Sequence, residues 1–211
     1  TTITLVRHGQ THLNARRVMQ GACDSPLTRT GRIGVLTTAA HLASESFSAA
    51  YSSPQGRAMM TAVEIVRHHP ELRLRADSGL REFTFGRFER RPERDLDEIM
   101  PWSQLISSVL NETHPGLEGG GESGAVFMGR VRSTFARIAA DHPGEHVLVV
   151  GHGLTLGAYL ATINPGTLVA LPNASVSRVE IADGVASVFQ AGLDVAGHGS
   201  LAARSAEVNA A

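Results

Sequence analysis

The pattern of apolar and polar positions predicts strands and helices that alternate along the chain. Short runs predict strands at 2–6, which is rich in β-branched residues, at 48–53, at 72–76, which alternates, and at 146–150, which is a buried apolar run. Longer stretches with apolar residues three or four apart predict helices after an N-capping Thr28, and over 55–68, 123–141 and 154–163. This alternation predicts an α/β fold: a mostly parallel sheet covered by helices on both faces.

Three segments depart from this alternation. The runs SVSRVEI and VASVFQ flank ADG, which predicts an antiparallel hairpin near the C-terminal end. Residues 86–122 are rich in Arg, Glu, Pro and Gly, and contain short helix candidates around 93–100 and 103–111. The stretch 191–211 is rich in Gly, Ala and Ser and is predicted to be loosely ordered. The chain, 1–211, is long enough for a single domain.

Composition excludes several classes of protein. The formal net charge is −1, so a nucleic acid or an anionic membrane is not an expected partner. All nineteen Lys or Arg residues are arginine. No apolar run approaches the ~20 residues that span a bilayer, and the first residues do not resemble a secretory signal, so a cytoplasmic protein is expected. Cys23 is the only cysteine, which excludes an intrachain disulfide and a cysteine metal cluster.

Charged residues and histidines follow the predicted strands where each strand ends. Arg7 and His8 follow the first strand, Arg57 opens the helix after the second, Glu82 follows the third, and His152 follows the fourth. In parallel sheets ligands bind beyond the carboxyl ends of the strands. These five side chains are therefore expected to share one site.

The stretch VVGHGLTLG also invites comparison with a dinucleotide-binding turn. That motif requires G-x-G-x-x-G and an acidic residue ~20 positions later. Here Gly157 comes one residue late, and no acidic residue appears before Glu180. We therefore interpret the glycines as a tight strand-to-helix turn that presents His152.

Several blocks of sequence together carry a family resemblance. LVRHGQTHLNARRVMQGACDSPLTRTG, YSSPQGRAMMTA, LREFTFGRFE, GGES and VVGHG resemble, in order, the motifs of the histidine phosphatase superfamily, the phosphoglycerate mutase-like proteins. The resemblance implies a three-layer α/β/α sandwich with a small helical lid at about 86–122, and a covalent phosphohistidine mechanism without a cofactor. It implies that His8 is the nucleophile and Glu82 the proton donor. The remaining phosphate or substrate positions that it implies are Arg7, Asn14, Gln20, Gly21, Arg57, His152 and Gly153.

The chemistry of phosphoryl transfer fits this set of residues. Two arginine forks can hold the phosphoryl oxygens, and His152 can add a donor if it is protonated. Neighbouring cations disfavour a charged His8, which keeps the nucleophile reactive. A carboxylic acid at Glu82 can protonate a poor alkoxide leaving group. No Asp or Glu cluster accompanies the histidines, so no metal is expected.

The lid region bears on the choice between a phosphatase and a mutase. The family's mutases add lysine and arginine there for the substrate carboxylate, whereas this chain has no lysine and no arginine over 100–120. The expected function is hydrolysis of small phosphomonoesters. A cofactor-dependent phosphoglycerate mutase and a catalytically idle phospho-ligand binding module are the alternatives. A homodimer is left open.

Some other residues receive plainer interpretations. The cluster Arg87, Arg90, Arg91 and Arg94 is either a solvated helix face or a second anion site in the lid. Glu89 is followed by Arg90 where the family pattern GxxEG has glycine, a departure that concerns the local turn. Five histidines in helices or at their ends are expected to be solvated rather than to act as ligands: His41, His68, His69, His142 and His146.

Overall fold

The computed structural model describes residues 1–165 and 170–197, and within them six strands form one sheet. The strands are β1 (Thr2–Arg7), β2 (Ala49–Ser52), β3 (Leu74–Ala76), β4 (His146–Gly151), β5 (Val176–Ala182) and β6 (Val185–Leu193). Their order across the sheet is β3-β2-β4-β1-β5-β6. The first four in this order are parallel, and β5 and β6 add the predicted antiparallel hairpin at one side.

Helices connect and cover the strands. They are α1 (His12–Ala15), α2 (Arg29–Leu42), α3 (Gly56–Val66), α4 (Glu93–Asp97), α5 (Trp102–Leu110), α6 (Gly124–Asp141) and α7 (Gly153–Ile163). The predicted cap Thr28 accepts a hydrogen bond from the Gly31 N–H at 2.9 Å, which satisfies one of the free N–H groups of the first turn of α2. Ser123 caps α6 in the same way through the Val126 N–H.

The core is divided by the sheet into two apolar layers. Successive side chains of a strand point to opposite faces, so Leu5 of β1 packs with α5 and α6 while Val6 packs with α2 and α3. The same alternation holds on β4, where Val149 and Val150 belong to the two different layers. The predicted three-layer α/β/α architecture is therefore confirmed.

Element boundaries differ from the prediction at the two ends of the chain. Strand β6 continues to Leu193, because it stays paired with β5 up to the contact between Leu193 and Val176, so the predicted loose tail does not begin at Ala191. Most of that tail, 198–211, lies outside the described residues. Helix α1 was not predicted, since its four residues are too few to show a helical period.

The departure at Arg90 leaves the local turn intact. Arg90 adopts a left-handed backbone, with φ of 65°, which explains why a glycine suits this place. Glu89 beside it accepts hydrogen bonds from the backbone N–H groups of Ala22 at 2.8 Å and Cys23 at 2.9 Å. The turn thus holds the loop that precedes α2.

Within residues 1–165 and 170–197, no helix is long and apolar enough to cross a membrane. Over the same part of the chain, no group of three or more His, Cys, Asp or Glu side chains is arranged to hold a metal ion.

Candidate active site

The residues that follow the parallel strands converge at one edge of the sheet. β1 and β4 are neighbours in register, with Arg7 opposite Gly151, so His8 and His152 lie side by side with ring centroids 5.2 Å apart. Arg57 reaches the same place from the first turn of α3. All three of His8, Arg57 and His152 are buried, which gives the site a low local dielectric.

The protein fixes the orientation of the His8 ring. Nδ1 of His8 lies 2.8 Å from the carbonyl oxygen of Gly9, and a carbonyl only accepts, so Nδ1 carries the proton. The lone pair of the neutral ring is therefore on Nε2. Burial, followed by the positive charges of Arg57 and Arg7, holds the pKa of His8 well below its ordinary value. The ring is neutral at neutral pH and has a nucleophilic nitrogen.

Arg57 joins the site to the loop before α2. Its two terminal nitrogens donate to the carbonyl oxygens of Cys23 at 2.7 Å and Gly21 at 2.8 Å, and to the carboxylate of Asp24 at 3.1 Å. Its Nε is buried and has no hydrogen-bond partner in the protein. The side chain is thus held rigidly, and its Nε–H is among the donors left for a ligand.

Arg7 is arranged in a similar way. One of its terminal nitrogens donates to the carbonyl oxygen of Leu171, while its Nε is buried and without a protein partner. Glycine at position 153 permits this packing, because a Cβ there would lie 3.3 Å from the guanidinium carbon of Arg7. The two arginines therefore present two fixed cationic donors beside His8.

His152 supplies a third unpartnered nitrogen. Its Nε2 lies 2.8 Å from the hydroxyl of Ser53, and its Nδ1 is buried without a partner. Burial, then the charge of Arg57, lowers the pKa of His152 well below the ordinary value, so the ring is neutral. In the tautomer whose Nε2 accepts from the Ser53 hydroxyl, the neutral ring carries its proton on Nδ1. That tautomer donates from Nδ1 without the second ring proton that the sequence-based expectation required.

Glu82 lies at the N-terminus of α7. Its Oε1 accepts from the N–H groups of Phe83 at 3.0 Å and Thr155 at 3.1 Å, and from the Thr155 hydroxyl at 3.0 Å. Its Oε2 accepts only from the Leu154 N–H, at 3.1 Å. Since a carboxylate oxygen has two lone pairs, Oε2 keeps free capacity on the side of the cavity.

The other predicted residues also line the cavity in front of His8. Asn14 accepts from the Thr11 N–H at 3.2 Å, and Asn173 donates to it at 3.4 Å. Gln20 is buried and its Oε1 has no partner. Gly21 has a φ of 55°, which favours glycine. The cavity has a volume of about 820 Å³, and its lining includes Arg7, His8, Asn14, Gln20, Gly21, Arg57, Glu82 and Gly153.

Known proteins with this arrangement identify the family. The sequence model of the histidine phosphatase superfamily, branch 1, matches residues 3–192. The chain belongs to the histidine phosphatase superfamily. One curated relative is a "probable phosphoglycerate mutase", GpmB, of Salmonella choleraesuis, 34% identical over 184 residues that cover 84% of each chain.

Solved structures of the superfamily include both mutases and phosphatases. The phosphoglycerate mutase of Bacillus anthracis matches with a TM-score of 0.83 and 28% identity, over 95% of this chain and 96% of the other. A mycobacterial glucosyl-3-phosphoglycerate phosphatase matches with a TM-score of 0.77 and 25% identity, over 91% of this chain and 98% of the other. Membership of the superfamily therefore shows the fold of this chain, but not its substrate.

Sequence reasoning missed the residues that hold this superfamily site in place. Arg130 of α6 forms two 2.7 Å hydrogen bonds to the carboxylate of Glu122 and donates to the carbonyl oxygens of Arg81 at 2.6 Å and Glu82 at 3.1 Å. Gln55 donates to the Gly21 carbonyl at 2.6 Å and accepts from the Glu82 N–H at 2.8 Å. The GGES and SSPQGR motifs contained Glu122 and Gln55, but their partners are distant in sequence.

The structure also decides two interpretations of residues outside the site. The residues Arg87, Arg90, Arg91 and Arg94 do not line the cavity, and three of them form ion pairs with acidic side chains at the surface, which supports the solvated face. The expectation that His142 and His146 are solvated is wrong. His142, at the end of α6, is buried 2.9 Å from the Tyr51 hydroxyl of β2, and His146, the first residue of β4, is half-buried 2.8 Å from the Thr4 hydroxyl of β1.

Proposed function

We propose that this chain hydrolyses small phosphomonoesters through a phosphohistidine formed on His8. The observation that carries the proposal is the free Nε2 lone pair of His8 beside the unpartnered Nε donors of Arg7 and Arg57. A phosphoryl group held by these donors would present its phosphorus to Nε2. Transfer of a phosphoryl group depends mainly on such positioning and on charge stabilisation.

In the first step the Nε2 lone pair attacks phosphorus and the P–O ester bond breaks. Glu82, entering the reaction as the carboxylic acid, gives its proton to the leaving alkoxide, so that the alcohol departs neutral. We assign the proton to Oε2, which accepts a single hydrogen bond from the protein. Arg7, Arg57 and the Nδ1–H of His152 stabilise the charge that develops on the equatorial oxygens.

In the second step water replaces the alcohol. The Glu82 carboxylate takes a proton from the water as its oxygen attacks phosphorus and the P–N bond breaks. The electron pair of that bond returns to Nε2 of His8. Inorganic phosphate leaves, and His8 and the acid form of Glu82 are restored, so the cycle consumes only the ester and water.

A phosphoglycerate mutase is the second candidate, favoured by the names of the relatives. That reaction must hold the carboxylate of its substrate while it moves the phosphoryl group. Beyond Arg7 and Arg57, Arg132 is the one cationic residue among those known to line the cavity. Arg132 donates to Glu112 at 2.7 Å. A catalytically idle binding module would need neither a nucleophile such as His8 nor an acid such as Glu82, and this chain has both.

The proposal is tested by trapping the intermediate. Enzyme mixed with p-nitrophenyl phosphate and quenched in base is expected to carry an acid-labile phosphoryl group that mass mapping places on His8. The His8→Ala variant should neither trap phosphate nor turn over, while Arg91→Ala, at the surface, should do both. A phosphoryl group on another residue, or normal turnover by His8→Ala, would contradict the mechanism.

Incubation with 3-phosphoglycerate separates the two candidates. A hydrolase releases inorganic phosphate and glycerate. A mutase instead forms 2-phosphoglycerate with little free phosphate, and depends on a bisphosphorylated primer. Isomerisation that outpaces hydrolysis would favour the mutase.

A further inference from the structure

The cavity extends well beyond the phosphate site and has an apolar interior. Pockets that hold drug-sized ligands have volumes of roughly 300–1,000 Å³, so about 820 Å³ is far more than a phosphoryl group on a three-carbon acid requires. One wall comes from α5, where Trp102, Ile106 and Leu110 are spaced four residues apart and so share one side of the helix, with Ser103, Ser107 and Asn111 lining the cavity beside them. We call the part of the cavity beside Trp102, Ile106 and Leu110 the apolar chamber.

Helix α7 supplies a second part of the cavity lining, which includes small residues as well as Leu154 and Thr162. Gly153, Gly157 and Ala161 of α7 also line the cavity at four-residue intervals, starting beside Arg7. A Cβ built on Gly157 would have no atom within 4 Å, so the space in front of this residue is open. Glycine inside a helix costs roughly 0.5–1 kcal/mol relative to alanine, so packing and stability give no reason for it here. The open space is what a bulky substrate would fill.

The charges of the apolar chamber do not suit a second anionic group. Arg132 at its rim donates to Glu112, and the other charged residue, Glu93, is acidic and accepts from Arg17 at 3.3 Å. A carboxylate placed there would lose water without gaining a free cation. Uncharged polar side chains are also present in the cavity lining, among them Ser103, Ser107 and Asn111 of α5, and Gln20, which is buried with an Oε1 that has no hydrogen-bond partner in the protein.

We infer that the substrates are phosphomonoesters of alcohols with an uncharged apolar or aromatic body larger than three carbons. This inference rests on the proposed function. The phosphoryl group binds at Arg7 and Arg57, and the alcohol portion fills the space between α5 and α7. Trp102 and Gly157 are then specificity-determining residues, one as a contact surface and the other as the space opposite it.

The test compares esters whose leaving groups are chemically alike. Ethyl, n-hexyl and 2-phenylethyl phosphate all release primary alkoxides, so differences in kcat/KM report binding of the alcohol. Each buried methylene contributes roughly three- to fourfold, so kcat/KM for the hexyl ester should exceed that for the ethyl ester by at least about tenfold. 3-Phosphoglycerate should fall below the hexyl ester.

Two variants locate the effect. Gly157→Leu fills the open space and should lower the hexyl-to-ethyl ratio of kcat/KM at least about fivefold. Gly129→Leu is the matched control, since Gly129 is also a helical glycine with no atom within 4 Å of its Cβ, but does not line the cavity. It should leave the ratio unchanged. Trp102→Ala removes a side chain from the α5 wall and should also lower the hexyl-to-ethyl ratio of kcat/KM. Because Trp102 is half-exposed, this substitution should have little effect on folding.

The outcomes separate this inference from the proposed function. Equal kcat/KM for the ethyl and hexyl esters, with phosphate still trapped on His8, would overturn the substrate class and leave the hydrolase intact. An unchanged hexyl-to-ethyl ratio of kcat/KM in both Gly157→Leu and Trp102→Ala would also overturn it, provided that thermal unfolding shows that each variant is folded. Absence of both hydrolysis and a phosphohistidine would mean that the proposed function itself has failed.

Discussion

Replacing Glu82 by glutamine removes an acidic proton and also disturbs a set of hydrogen bonds. In the native protein Oε1 accepts three hydrogen bonds and Oε2 accepts one, from the Leu154 N–H. A glutamine amide has one oxygen and one NH₂ group, and the NH₂ group cannot accept. The amide oxygen therefore takes the place of Oε1, and the Leu154 N–H loses its partner.

The two consequences have different magnitudes. An N–H that loses its partner in a buried place costs about 1–3 kcal/mol, and because Glu82 is half-buried we expect about 1 kcal/mol. For a domain of this size that lowers Tm by roughly 2–4 °C. Loss of a general acid slows the reaction by roughly 100- to 10,000-fold, about 2.7–5.4 kcal/mol of activation free energy. Nearly all of the kinetic effect is therefore chemical.

The assay measures kcat/KM of Glu82→Gln on n-hexyl phosphate and on p-nitrophenyl phosphate. The alkoxide needs the proton, whereas nitrophenolate leaves without one, so the hexyl ester should lose at least about 30-fold more than the nitrophenyl ester. Glu118→Gln is the control, because the Glu118 side chain is 76% exposed and pairs with Arg87 at the surface. It should change neither substrate nor Tm.

A uniform loss on both esters would refute the assignment of Glu82 as the acid. Glu82 would then act by positioning the first turn of α7, and another group would supply the proton. A normal rate on the hexyl ester would refute any role in the reaction.

Three further predictions follow from the site. Arg57→Ala removes a fixed donor to the transferring group, so kcat/KM on p-nitrophenyl phosphate should fall by the equivalent of about 3–4 kcal/mol of transition-state stabilisation. Arg91 is half-exposed and paired with Asp95, so kcat/KM of Arg91→Ala should stay within about twofold of the native value. Equal losses in the two variants would contradict this difference in roles. Because the pKa values of His8 and His152 are lowered on folding, the unfolded chain binds protons that the folded protein does not. The two histidines therefore have little effect on stability above about pH 6.5, and they destabilise the folded protein increasingly as pH falls towards the folded pKa. The free energy of unfolding falls by up to about 1.4 kcal/mol per pH unit for each histidine. Urea denaturation should show a shallower pH slope for His152→Asn, and an equal slope would count against a neutral buried ring. Hydrolysis should survive EDTA, because arginines neutralise the phosphoryl charge; a loss restored by a divalent metal would oppose that account.

The sequence was sufficient to predict which residues meet at the edge of the sheet, because those residues follow strands. Arg7, His8 and His152 come directly after buried runs, and parallel strands bring their carboxyl ends to one edge. The periodicity of apolar residues also placed α2 and α6, and the cap Thr28 of α2 was predicted from the sequence. These features depend on local pattern and on the general topology of parallel sheets.

What the sequence did not reveal depends on contacts between distant segments. The partnership of Arg130 with the Glu82 carbonyl spans 48 positions, and that of His152 with Ser53 spans 99, so no spacing rule indicates either. His142 was wrongly expected to be solvated, since its chain position at the end of α6 does not show that Tyr51 of β2 lies beside it. The apolar chamber requires the relative placement of α5 and α7, which only the folded structure provides.

The two ends of the cavity are built from different parts of the chain, and this has a consequence for how such proteins change. Arg7, His8 and His152 are fixed by the sheet, whereas the wall formed by Trp102, Ile106 and Leu110 belongs to a single nine-residue helix, α5. On the proposed function, substitutions or grafts within α5 would change which alcohol the cavity accepts and leave the residues at the sheet edge in place. Members of one superfamily can therefore share a fold and differ in substrate.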